Sequence, residues 1–145
     1  MSSLFVAYAA GLFDGEGCIA IRKMKQKNSR YCFSLTCVVN MTDPRPVRAL
    51  MEHFGYGTVS QGQAHPIYRR PIRWTIVCQT AADFLRQVQP YLLVKREEAA
   101  LALEFQAHIE QTKGYWRRPD ADEVLKYRER CYRRLQELKR PEIHS

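Results

Sequence analysis

The sequence predicts an α+β fold in which helices stack on one face of an antiparallel sheet. Three observations lead there. Strand-like and helix-like segments alternate as helix, hairpin, helix, hairpin, helices. Within each hairpin the two strands are joined by a turn-rich connection, which makes them antiparallel. The strands also carry arginine, lysine, serine and glutamine on the face that the helices leave uncovered, so that face meets water or a ligand.

Each element has its own signal. Residues 3–13 read as a helix that Ser2 or Ser3 can cap, with Leu4, Tyr8 and Leu12 at helical spacing. Ala7, Ala10, Gly11 and Asp14 form a second stripe, small enough for another helix to approach closely. Gly15 and Gly17 are predicted to stop this helix and turn the chain. Residues 18–27 and 30–41 form the first hairpin, with Lys27-Asn28-Ser29-Arg30 at the turn. Ala20, Arg22 and Met24 share one face of the first strand; Ile19, Ile21 and Lys23 share the other.

Asp43-Pro44 opens the next helix, which runs to about Phe54 with Val47, Leu50, Met51 and Phe54 on its apolar side and ends at Gly55-Tyr56-Gly57. A second hairpin spans roughly 57–63 and 67–78, where Pro66 and Pro71 restrict the returning strand. Thr80 caps a helix to about Val88, and Pro90 breaks it. A long helix follows over 92–112, and a final charged helix over 120–139 is predicted to pack peripherally.

The 145 residues, 46% hydrophobic and 26% charged, suit one domain over 1–145, with a core at about 4–110 and a helical extension at about 114–140. Five scattered cysteines, none in a C-x-x-C pair, imply no zinc site and read as reduced and mostly buried. With no membrane-length apolar run and no charged leader before Leu4, a cytoplasmic or organellar interior is expected, without secretion or a membrane partner.

The net charge of +8 is unevenly spread. Between residues 17 and 82 the only acids are Asp43 and Glu52, against ten lysines and arginines. That is the footprint of a surface for a phosphate backbone. Trp74, Tyr68 and Trp116 read as packing residues, and His53, His65, His108 and His144 are too dispersed for a metal cluster.

The most informative stretch is Ala9-Ala10-Gly11-Leu12-Phe13-Asp14-Gly15-Glu16-Gly17. It ends a helix with two carboxylates, and acids at a helix C-terminus are disfavoured by about 0.3–1 kcal/mol each. A hard divalent cation would compensate. The stretch resembles, position for position, the signature motif of the LAGLIDADG homing endonucleases. Ala9, Phe13 and Gly15 replace three of its letters, and the second acid is Glu16. The segment Gln89-Pro90-Tyr91-Leu92-Leu93-Val94-Lys95 is similar to the family's lysine after a proline and an apolar run, and Met41-Thr42-Asp43 resembles a third family segment.

The resemblance implies an αββαββα core with a saddle-shaped sheet seated in the DNA major groove. One motif copy implies a homodimer, packed through Ala7, Ala10, Gly11 and Asp14. The implied activity is that of an intron-homing enzyme: metal-dependent hydrolysis of one phosphodiester on each strand of a long pseudo-palindromic duplex. Glu16 and the Gly15 carbonyl would hold Mg²⁺, with Mn²⁺ or Ca²⁺ as substitutes in binding, and Asp14 is either a third ligand or a tie for backbone donors. Lys95 would polarise solvent or stabilise charge near the scissile phosphate, Arg45 would contact the same phosphate or order water, and Met41 stands where the family commonly has a water-ordering amide. Asn40 is on the opposite parity.

For base contacts the candidates are Arg22, Gln26, Asn28, Arg30 and Ser34 in the first hairpin, and Ser60, Gln61, Gln63, Arg69, Arg70 and Arg73 in the second. Lys23, Lys25, Lys27, Lys139 and Arg140 are candidates for phosphate contacts. The competing reading is a non-catalytic module on the same fold, either a transcription regulator or an RNA-splicing maturase.

Overall fold

The computed structural model describes residues 3–27 and 30–140; the Ser2 cap, Asn28 and His144 lie outside them. The order is α1 (Ser3–Glu16), β1 (Gly17–Lys25), β2 (Tyr31–Met41), α2 (Pro44–Phe54), β3 (Thr58–Gln61), β4 (Ile72–Val77), α3 (Cys78–Val88), α4 (Arg96–Gln111) and α5 (Ala121–Lys139). Single 3₁₀ turns at Gln89–Tyr91 and Tyr115–Arg117 join the last three helices. The four strands form one antiparallel sheet in the order β1-β2-β4-β3. This is the expected α+β layout.

One core lies between the sheet and the helices. Ile19, Ile21, Phe33, Leu35, Cys37, Val39, Trp74 and Ile76 supply the sheet side by strand alternation. The Phe84 ring meets Phe13, Phe54 and Trp74 edge-on, with centroids 5.1, 5.1 and 5.2 Å away, so α3 ties α1, α2 and β4 together. Asp43 caps α2 by accepting from the Arg45 N–H at 3.0 Å, ahead of Pro44. Gly55 closes that helix at φ 76°, a left-handed position that favours glycine.

Four expectations need correction. The first helix does not stop at Phe13: Gly15 is helical, and Glu16 passes straight into β1. Gly17 is required for close approach, since a Cβ there would overlap the Phe13 ring and stand 2.6 Å from the Phe13 carbonyl. The helix placed at 92–112 begins only at Arg96, because an acid from α1 captures the backbone ahead of it. Thr80 lies inside α3, which starts at Cys78 with φ 52°; its hydroxyl bridges the N–H and C=O of Val77, steadying a strand-to-helix turn made in one residue.

The last helix is no peripheral addition. It buries Val124, Arg128, Cys131 and Leu135, and Glu129 reaches Lys23 on β1 at 2.9 Å.

Gly17→Ala should lower stability by about 1–3 kcal/mol through overpacking. Gly15→Ala, with nothing within 4 Å of its Cβ, should be neutral or stabilising by up to about 1 kcal/mol. Urea unfolding midpoints separate the two.

Candidate nucleic-acid interface and metal site

The end of α1 carries two carboxylates with opposite fates. Asp14 Oδ2 accepts from the Leu93 N–H at 2.8 Å, and Oδ1 accepts from Val94 and Lys95 at 3.2 and 3.1 Å. The Lys95 ammonium in turn donates to the Asp14 carbonyl at 2.7 Å. Burial alone would raise the Asp14 pKa, but the three backbone bonds and the Lys95 charge outweigh it and hold the carboxyl below its ordinary value. The protein therefore neutralises this acid itself. Glu16, two residues on, is exposed and has no partner among the described residues.

Gly17 pairs with Val39, so the chain position before it lies at the sheet end where Asn40 and Met41 finish β2. Lys139, at the end of α5, donates to Cys18 Sγ at 3.4 Å. An open cleft of about 400 Å³ at this corner is lined by Gly17, Cys18, Lys95, Glu98, Lys139 and Arg140 among others. The fold thus gathers Glu16, Lys95 and Lys139 at one end of the sheet. Arg45 sits on α2 with its guanidinium in a bidentate exposed pair with Asp43, at 2.6 Å for the shortest contact, which holds Asp43 down to about 2.

Strand register defines the uncovered face. Arg22 pairs with Ser34, Asn40 with Arg73, and Arg73 with Ser60, so these five side chains share the side away from the helices. Lys25, Gln26, Lys27 and Arg30 are exposed around the tip of the first hairpin, and Gln63, Arg69 and Arg70 in the loop of the second. Arg70 Nε donates to the Gly62 carbonyl at 3.0 Å. That loop is longer than predicted, because β3 and β4 pair over only Thr58–Gln61 and Ile72–Val77.

Several site expectations fail on geometry. Lys23 lies on the helix side, held by Glu129 and set over the Tyr31 ring at 4.5 Å, so it is not free for a phosphate. Gln61 has the parity of Val59, opposite to Ser60. Met41 packs against the core, and the amide on the uncovered face is Asn40. Asn40 and Met41 lie on opposite faces of β2, as strand alternation implies. Ala10 is fully buried within its own protomer, so it cannot line a surface. The exposed stripe of α1 is Leu4, Tyr8, Gly11 and Gly15, flanked by exposed Leu93 and Val94. Three cysteines, Cys18, Cys32 and Cys78, are exposed rather than buried. Tyr68 and Trp116 are exposed too, whereas Trp74 is core. Among the described residues no group of three or more His, Cys, Asp or Glu could hold a metal, and no helix is long and apolar enough to cross a membrane.

No protein-family model matches the sequence, and no curated protein does. Solved structures match over almost the whole chain. The homing endonuclease I-CvuI, in complex with the I-CreI target in the presence of Mg with the DNA not cleaved, has 21% identity and a TM-score of 0.77, covering 98% of this chain and 86% of that one. The archaeal intron-encoded homing endonuclease I-Vdi141I, complexed with DNA, has 13% identity and a TM-score of 0.79, covering 98% and 88%. The LAGLIDADG homing endonuclease I-GzeII with its DNA target has 14% identity and a TM-score of 0.73, covering 91% of this chain and 44% of that one. The fold is that of the LAGLIDADG homing endonucleases.

Asp14→Asn should destabilise the protein at neutral pH by about 1–3 kcal/mol, as its backbone donors lose a charged acceptor. Because the folded pKa is depressed, this contribution is present above about pH 4 and fades as pH falls through the folded value. Wild-type and Asp14→Asn unfolding curves should therefore converge in acid.

Proposed function

We propose that the chain is a site-specific DNA endonuclease that binds a long pseudo-palindromic duplex as a homodimer and makes a metal-dependent double-strand break. The observation that carries this reading is the division between the motif acids: Asp14 is saturated by three backbone donors, while Glu16 is exposed and has no partner among the described residues. An acid at a helix C-terminus with no internal cation is unfavourable unless something outside the chain completes it.

The donors fit a hard cation. The Glu16 carboxylate and the Gly15 carbonyl, in a last turn whose carbonyls lack intrahelical donors, are oxygen ligands suited to Mg²⁺, with Mn²⁺ or Ca²⁺ as substitutes in binding. Asp14 shares that corner, but its role here is to orient Lys95. When bound, the ion supplies Lewis-acid charge and lowers the pKa of a water. The remaining work falls to side chains. Lys95, fixed by two contacts to Asp14, stabilises charge developing near the phosphate. Arg45 is exposed, and its surface pair with Asp43 is weak enough to exchange for a phosphate oxygen. Asn40 takes the water-ordering place that Met41 does not serve. The uncovered face supplies Arg22, Ser34, Ser60 and Arg73 for base edges, while Lys25, Lys27, Lys139 and Arg140 hold the backbone.

The homodimer follows from α1. Leu4 is 83% and Tyr8 49% exposed beside open Gly11 and Gly15, a flat apolar stripe suited to the same stripe on a second copy. Across such an axis the two Glu16 carboxylates approach, and cations between them relieve the repulsion. The protein acts where its DNA lies, in a cytoplasmic or organellar interior.

A plasmid library of pseudo-palindromic sites, incubated with protein and Mg²⁺, should yield linear product. Glu16→Gln should slow cleavage at least about 100-fold while leaving DNA affinity nearly intact. Binding without nicking at any site would favour the non-catalytic module instead. Gly11→Leu should convert a dimer to a folded monomer in sedimentation and abolish double-strand cleavage.

A further inference from the structure

Away from the motif, the structure contains a buried cation with no counter-ion among the described residues. Arg128 on α5 is only 7% exposed. One guanidinium nitrogen donates to Thr112 Oγ1 at 2.9 Å, and the group lies 4.5 Å from the centre of the Tyr115 ring. Its Nε is buried without an acceptor, and no carboxylate contacts it among the described residues. Burial disfavours its charged form and pulls its pKa below the ordinary arginine value. Buried charges are normally paired, because an uncompensated one loses its hydration without a replacement.

Arg128 lines a cleft of about 350 Å³ between the tip of the first hairpin and the helical layer. The other walls are Gln26, Arg30, Tyr31, Cys32, Tyr115 and Trp116. No acid is among them; the polar groups are mostly donors, and the apolar walls are aromatic. Trp116 is 53% exposed, with the Arg117 guanidinium 5.9 Å from its ring. Cys32 pairs with Met24 and has the parity of Ser34, so the cleft adjoins the uncovered face.

We propose that this cleft is a phosphate site, filled by a backbone phosphate of the duplex where it runs past the first hairpin, outside the segment read by the sheet. It rests on the DNA-binding reading above. Arg128 and Gln26 take the phosphate oxygens, and Trp116 covers the adjoining sugar or base. The cleft extends the footprint of each subunit outward and adds affinity without sequence preference.

Cys32 provides a local readout, with exposed Cys18 as a reporter of occupancy on the uncovered face. Maleimide labelling followed by mass spectrometry is run with a bound duplex carrying long flanks, with the same duplex trimmed to the sheet-contacted segment, and with inorganic phosphate. The flanked duplex should slow Cys32 labelling about tenfold more than the trimmed one, as expected for a site filled at about ten times its Kd. Arg128→Met and the exposed-site variant Trp116→Ala should each remove that difference while Cys18 stays protected. If Arg128→Met fails to fold, Trp116→Ala decides. Equal Cys32 protection by both duplexes, with Cys18 shielded, overturns the proposal and leaves the DNA-binding reading standing. If no duplex shields Cys18, the DNA-binding reading fails, and the phosphate arm decides whether the cleft holds a free phosphate. Slowing of Cys32 that is lost in Trp116→Ala supports a phosphate site, and no slowing overturns it.

Discussion

The clasp between Asp14 and the backbone of Leu93, Val94 and Lys95 is the constraint on which the rest of the structure depends. One carboxylate takes three N–H groups from a segment 79 to 81 residues away, and the lysine of that segment closes the ring on the Asp14 carbonyl. The clasp keeps residues 92–95 out of α4. It fixes Lys95 beside the end of α1. It also uses up one acid of the motif, which makes Glu16 chemically distinct from its neighbour. An anionic helix end would be unfavourable if both acids were free; the fold neutralises one and leaves the other facing outward.

The direct passage from α1 into β1 has a similar economy. No loop separates Glu16 from Gly17, so the acid at the helix end and the first strand move as one body. The close pass of Gly17 over Phe13 makes this possible, and Phe13 is itself locked against Phe84. A ligand group on a rigid junction is held more accurately than one on a loop. The cysteine that starts α3 at φ 52° makes an equally abrupt turn at the other side of the sheet.

Charge is sorted by layer. The uncovered face carries Arg22 and Arg73 with Asn40, Ser34 and Ser60, while Glu129 on α5 holds Lys23 on the helix side. The C-terminal helix α5 contributes at both ends. It pins β1 through Glu129, brings Lys139 to the motif corner, and places Arg128 behind the hairpin tip. A helix that looks peripheral in composition therefore shapes both ends of the basic surface.

The sequence by itself determined the fold class, the order of elements, the separation of strand faces and the motif that ends the first helix. These follow from local periodicity, turn residues and charge spacing, which act over a few residues. It also separated Asn40 from Met41 and Lys23 from Arg22, because alternation is a local property. Only the tertiary structure decided which parity the helices leave uncovered, since that depends on where helices α3 to α5 pack. Only it showed that Lys95 answers Asp14, that Ala10 is spent on its own core, and that Arg128 is buried with its Nε lacking an acceptor among the described residues. Each of these is a contact or a burial set by residues distant in the chain, and no periodicity within a short window encodes such pairings.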